Sequence, residues 1–260
     1  MRTKEYIYRT FLVWYFVGII LVAFDLLPES LEWANAVFLY LAGIVTFIYA
    51  GVVYGWSYAI QSFLIVLFIS IGAEHLGVKY GLIFGEYYYE KDFGIQVFGV
   101  PLTIGFAWYM VIMTTHAISK KILNPLYNFY FIKYIGLTSL LAVIMDLIID
   151  PVAFKAKEYW IWNGDSFYYD IPLNNFFGWF LVSMIIQIVL FPIWKKKSMN
   201  LEPRWEKRIR ILYFLIIFMF VLTALQSELY LAMIVVLLSI IPFLLLLQKG
   251  DNIRDLSKEE

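Results

Sequence analysis

The sequence predicts an all-α fold: a polytopic transmembrane bundle of about eight helices with both termini cytoplasmic. Three observations predict it. Apolar residues make up 62% of the 260-residue chain and charged residues 15%, with a mean hydropathy of +0.77. A water-soluble chain of this size needs far more polar exterior than that. The apolar residues also gather into runs of about 17–25 residues, the helical length that crosses roughly 30 Å of hydrocarbon. The basic residues, finally, divide unequally between the two sides those runs define.

In chain order the runs are 8–26, 34–54, 58–72, 97–116, 129–149, 176–194, 211–225 and 230–247. The first follows Arg2, Lys4 and Arg9, as the core of a signal peptide would. It has no small-residue cleavage site at Phe24-Asp25-Leu26, so it reads as a retained helix. The third is short and is expected to continue past Glu74. Pro101 and Pro172 mark the starts of the fourth and sixth helices, because proline suits a first helical turn. The seventh starts among the charges at Arg208 and Arg210, and the polar tail after the eighth, QKGDNIRDLSKEE, is expected to fray. No linker or low-complexity stretch interrupts the pattern, so residues 1–260 read as a single integral membrane domain.

Sixteen of the twenty Lys and Arg residues fall near the termini and in the gaps after the fourth and sixth runs; only Lys79, Lys91, Lys155 and Lys157 fall on the other side. Positively charged loops stay in the cytoplasm, which places the 73–96 and 150–172 loops outside. The most basic stretch, KKKSMNLEPRWEKRIR at 195–210, is read in the same way, as a cytoplasmic loop rather than a headgroup or nucleic-acid patch. A formal net charge of zero leaves no basic domain to neutralise phosphates, which excludes nucleic acid as a partner. The chain has no cysteine and only two histidines, His75 and His116. That removes disulfides, thiolate sites and Cys nucleophiles, and leaves no multi-His metal centre or bis-His haem. Neither a metal nor a cofactor is expected.

Chemistry is expected in two stretches, 72–101 (GAEHLGVKYGLIFGEYYYEKDFGIQVFGVP) and 146–179. They echo one another: Tyr80, Gly85, Glu86 and paired tyrosines against Tyr159, Gly164, Asp165 and Tyr168-Tyr169. This reads either as a parallel internal repeat or as coincidence. Ionisable groups in or beside a span are costly and ask for an explanation. Asp25, beside Pro28 and Glu29, reads as a solvated helix end. Glu74 lies at the end of a run. Asp146 and Asp150 are four residues apart, hence stacked on one helical face, where two like charges repel and a single shared proton is favoured. They are either a functional pair, or a boundary cap at Asp150 with Asp146 bonded to a Tyr or Asn. DLIID also matches the DxxxD pattern of membrane prenyltransferases, but no second acidic cluster accompanies it. Tyr87, Tyr88, Trp160, Trp162 and Trp179 crowd the same boundary. Such rings form interfacial belts, and their faces can also stabilise a cation out of water. Gly81, Gly85, Gly94 and Gly164 would let the loops fold closely over a pocket between helices 3, 4, 5 and 6, open sideways to the bilayer.

Taken together, Glu74, Phe84-Gly85-Glu86-Tyr87, Gly99-Val100-Pro101, Asp146, Asp150-Pro151-Val152-Ala153, Trp160 and Trp162, Ile171-Pro172 and Asn175-Phe176-Phe177-Gly178-Trp179 resemble the carotenoid biosynthesis membrane protein family, over about 72–180. Known members include carotenoid 1,2-hydratases of the bisanhydrobacterioruberin type. The resemblance implies addition of water across the terminal C=C of an acyclic carotenoid end group, giving a tertiary alcohol. Asp146 or Glu74 would be the acid, and Asp150 the charge partner or water base. Tyr87, Tyr88, Trp160, Trp162, Asn175 and Trp179 would bind substrate. The implied partners are the carotenoid, water, membrane lipid and other carotenoid-pathway membrane enzymes. An end-group cyclase, a prenyltransferase and a non-catalytic carotenoid or polyprenyl binder or transporter remain open beside it.

The charge asymmetry has a direct test. Single cysteines replacing Lys91 and Lys197 should label from opposite faces of intact cells with an impermeant reagent; labelling from one face contradicts the topology.

Overall fold

The computed structural model describes residues 2–91, 93–126, 128–197, 200 and 202–256. Among the described residues, eight helices are long and apolar enough to cross a bilayer. They are α1 (Arg2–Ala23), α2 (Trp33–Tyr54), α3 (Trp56–Tyr80), α4 (Leu102–Ile122), α5 (Tyr130–Pro151), α6 (Leu173–Lys195), α7 (Pro203–Gln226) and α8 (Tyr230–Leu256). The chain is a multi-pass all-α membrane protein. α4 is the central helix, packed against α2, α3, α5, α7 and α8. Gly43 of α2 permits one close approach: a Cβ there would stand 2.8–3.0 Å from Phe106 of α4, so only a hydrogen fits.

Several boundaries move from their sequence-based positions for local reasons. α4 starts at Leu102 rather than 97, because Pro101 is extended (φ −60, ψ 132) and supplies no N–H. The residues before it pair as a tiny hairpin, β2 (Gln96–Val97) with β3 (Val100–Pro101), turned through Phe98 and Gly99 at positive φ. α7 starts earlier, with Pro203 in its first turn, and so carries Glu206, Arg208 and Arg210 on a helix instead of a loop. α8 runs through Leu256, so most of the tail expected to fray is helical, and residues 257–260 lie outside the described residues.

The two ends of the bundle are organised differently. At the basic end, Arg208 of α7 donates twice to the Glu5 carboxylate of α1, at 2.8 and 2.6 Å. Glu206 pairs with Lys120 of α4 and accepts from Tyr49 of α2 at 3.2 Å. From Lys120 a chain of donors runs inward: Lys120 Nζ to the Tyr54 hydroxyl (2.7 Å), Tyr54 to His116 Nε2 (2.7 Å), and His116 Nδ1 to Tyr134 (2.6 Å). Tyr134 donates to Gln187 (2.8 Å), and Gln187 donates to the Ile112 carbonyl (3.1 Å). Each buried group in this chain gives to the next, which removes the penalty of about 1–3 kcal/mol that an unpaired buried polar group carries.

At the other end, the acid end, the chain leaves the helices as two long loops. Pro151 has no N–H to give the Leu147 carbonyl one turn back, and the Tyr168 hydroxyl donates to that carbonyl instead, at 2.7 Å. α5 then unwinds through a π-helical turn, Val152–Ala156. The loops meet as a short antiparallel ribbon, β1 (Tyr87–Tyr89) with β4 (Trp160–Trp162), pairing Tyr87 with Trp162 and Tyr89 with Trp160. This geometry does not support the internal repeat. The β1 tyrosines follow the Gly85-Glu86 pair, whereas β4 precedes its counterpart Gly164-Asp165, so the matched residues occupy different structural places.

The α2–α4 contact generates a prediction. Gly43→Ala should destabilise the detergent-solubilised protein by about 1–3 kcal/mol, the usual cost of overpacking, read from its unfolding transition.

Candidate active site

Three carboxyls are buried at the acid end, and each is held by donors from a different part of the chain. Glu74 projects from the last turns of α3. Its Oε1 accepts from the Trp108 indole of α4 at 2.8 Å, and its Oε2 accepts from the hydroxyls of Tyr87 and of Tyr89, the latter at 3.2 Å. Strand alternation puts Tyr87 and Tyr89 on one face of β1, and both phenols turn inward. Burial first, then the neighbouring Glu74 charge, pushes both hydroxyls well above their usual pKa range, so they stay protonated and remain donors.

Asp146 and Asp150 share a face of α5, as their spacing predicts. The Asn175 amide, in the first turn of α6, donates to both: to Asp146 Oδ2 at 2.8 Å and to Asp150 Oδ2. Asp150 Oδ1 also accepts from the Trp160 indole of β4 at 3.1 Å. Asp146 Oδ1 is buried and has no hydrogen-bonding partner among the described residues. The loops reach this position through close contacts at Pro172. Gly85, at φ +111, lies against it so tightly that a Cβ would stand 3.1 Å from the proline ring.

Glu74 and Asp150 open into one cavity of about 480 Å³, within the roughly 300–1,000 Å³ typical of small-molecule sites. Around the two acids its walls are aromatic. Trp108 stacks on Trp179 with ring centroids 4.2 Å apart, and Tyr87 lies 4.7 Å from Trp162. Away from the acids the lining is mostly apolar, with Asn35 and Thr223 in it, and it continues past α4 to α1, α2 and α7. The cavity is therefore not confined between helices 3, 4, 5 and 6, as the loop positions alone had implied.

The sequence-predicted residues divide accordingly. Glu74, Asp150, Tyr87, Trp160, Trp162, Asn175 and Trp179 all line the cavity. Asp146 lies behind Asp150, joined to it through Asn175. Tyr88 is not brought to the cavity with them: it sits on the opposite face of β1, 45% exposed, and does not line the cavity. Asp25 is a solvated end as read, paired with Lys157 at 2.7 Å, and that ammonium holds its carboxyl below the usual range. Tyr89 and Trp108 were missed. Period-two alternation from Tyr87 points to Tyr89, whereas Trp108 is an ordinary apolar-run residue whose role appears only once α3 and α4 are packed.

Comparison with known proteins bears on this geometry. Residues 34–246 match the family described as carotenoid biosynthesis protein. Bisanhydrobacterioruberin hydratase from Haloarcula japonica is 32% identical over 125 residues, which is 47% of this chain and 41% of that protein. The alignment thus spans less than half the length of that relative. No solved structure matches. With the family match extending over most of its length, including every residue of the acid cluster, this chain belongs to the carotenoid biosynthesis protein family.

Proposed function

We propose that the protein is a carotenoid hydratase of the cell membrane, adding water across the terminal C=C of an acyclic carotenoid end group to give a tertiary alcohol. The observation that carries this reading is a single apolar cavity into which two buried carboxyls from different helices project among aromatic rings. Alkene hydration needs a proton donor, stabilisation of a tertiary cation and a base for the attacking water. The family description and the hydratase relative support the substrate class.

In this reading the roles divide as follows. Asp146 and Asp150 are bridged by one amide, like charges on one helical face favour protonation of one of the two, and Asp150 is the member that lines the cavity. Asp150 therefore delivers the proton to the end-group carbon that becomes CH₂, and Asp146 stands behind as its charge partner. This exchanges the roles that the sequence had assigned to the two. The C=C electron pair forms the new C–H bond and leaves a tertiary cation on the neighbouring carbon. The faces of Tyr87, Trp160 and Trp162 and the Glu74 charge stabilise it. Glu74 accepts at both of its oxygens from Trp108, Tyr87 and Tyr89, and in this reading it takes the proton from water as the C–O bond forms. Return of that proton to the aspartate pair closes the cycle. The Trp162 indole N–H is buried without a partner among the described residues and is available to the new hydroxyl.

Pigment analysis in a lycopene-producing host tests the reading. The wild type should yield a hydroxylated product. Asp146→Asn, Asp150→Asn and Glu74→Gln should each lower it at least about a hundredfold, the lower range for loss of general acid–base catalysis, while still inserting. Asp25→Asn should be near neutral. A cyclised product would instead mark an end-group cyclase, a lengthened chain a prenyltransferase, and unchanged pigment a binder or transporter.

A further inference from the structure

The cavity is far longer than an end group needs. From the acids it extends along one face of α1, through Trp14, Gly18 and Leu21, with Met219 of α7 among the facing residues. The α1 residues that line it run from Val13 to Val22, a height of about 14 Å at 1.5 Å per helical residue. Two features show where it opens. Val13 and Val17 line the cavity and are nevertheless 65% and 54% exposed, and Trp33 at the start of α2 lines it while 53% exposed. A residue that is both lining and surface marks a mouth, and these three are apolar and lie on spanning helices. The mouth therefore faces lipid, between α1 and the N-terminal end of α2. The turn joining those helices is strapped to the acid-end loops by partly exposed ion pairs, Asp25 with Lys157 and Glu32 with Lys91. Such pairs contribute only about 0–1 kcal/mol and leave the turn free to yield.

We propose that this arm of the cavity is the seat of the linear polyene chain next to the reacting end group, entered sideways from the bilayer between α1 and α2, and that Gly18 sets its width. The inference rests on the hydratase reading for the identity of the chain, but not for the existence of the slot. The occupant follows from the walls: one end of the cavity carries the carboxyls, the rest is mostly apolar, with further rings at Trp14, Trp33 and Phe38 and with Asn35 and Thr223 among its few polar members, and the entrance adjoins lipid. A molecule suited to it is a long hydrocarbon with one reactive terminus. A C40 chain, roughly as long as the ~30 Å hydrocarbon layer, exceeds the ~14 Å slot, so its far half stays in the membrane. Gly18 is the point of control because it lines the arm and a Cβ there would meet nothing within 4 Å. A larger side chain would fill the slot without pushing on the helices.

Binding can be read apart from turnover. Lycopene is an achiral acyclic polyene; free in lipid it has no visible circular dichroism, and seated in a chiral slot it acquires one. Titrated into full-length protein in lipid nanodiscs, it should give a saturable induced signal. Gly18→Phe should weaken binding about tenfold or more, equivalent to roughly 1.4 kcal/mol. Gly136→Phe on α5, where a Cβ is equally unopposed, should leave it unchanged. Glu74→Gln should keep the signal while losing product. Absence of any induced signal in the wild type, as when a lipid chain fills the slot, overturns the proposal. Wild-type affinity in Gly18→Phe overturns it as well. Binding that depends on Gly18 without formation of an alcohol leaves the slot standing and removes the hydratase reading alone.

Discussion

Three carboxyl groups buried in the apolar interior of one membrane domain are the constraint on which the rest of this structure depends. An isolated charge moved out of water costs many kcal/mol, and each acid must therefore be met by donors or neutralised. The helices alone supply few: Trp108 for Glu74, and Asn175 for the aspartate pair. The remainder comes from the loops, as Tyr87 and Tyr89 on one strand and Trp160 on its partner. The three-residue ribbon between β1 and β4 is small, but its register sets which tyrosine and which tryptophan turn inward. The loops fold over the acids because the acids bind them.

The opposite end of the bundle meets the same demand by other means. There the polar groups form a directed chain from Lys120 through Tyr54, His116, Tyr134 and Gln187 to a backbone carbonyl, with every buried atom along it paired. That end ties α2, α4, α5, α6 and α7 together. At the acid end one Asp146 oxygen and the Trp162 N–H have no partner among the described residues, and toward the basic end the Trp194 N–H and the Ser119 hydroxyl likewise have none.

Much of this was legible in the sequence because the governing signals are local. Apolar run length identifies helices, a four-residue spacing stacks Asp146 on Asp150, and prolines at 101 and 172 mark where α4 and α6 begin. What escaped was non-local. Three residues are too few to announce a strand by themselves, so the ribbon went unseen and with it the alternation that turns Tyr88 outward and Tyr89 inward. The Trp108 contact with Glu74 depends on how α3 meets α4. The reach of the cavity to α1, α2 and α7 follows from helix packing around α4, which the loop sequences do not encode. The apparent repeat misled because Gly, Tyr and acidic residues recur wherever chains turn at a membrane boundary.

The most direct test of the central account is isotopic. Purified protein in lipid, given an acyclic carotenoid in deuterium oxide enriched in heavy oxygen, should form an alcohol carrying one heavy oxygen at the tertiary carbon. It should also carry one non-exchangeable deuterium at the adjacent carbon, delivered by the aspartate pair. A product that gains deuterium without oxygen, or no product from a protein that demonstrably binds the carotenoid, would contradict the account.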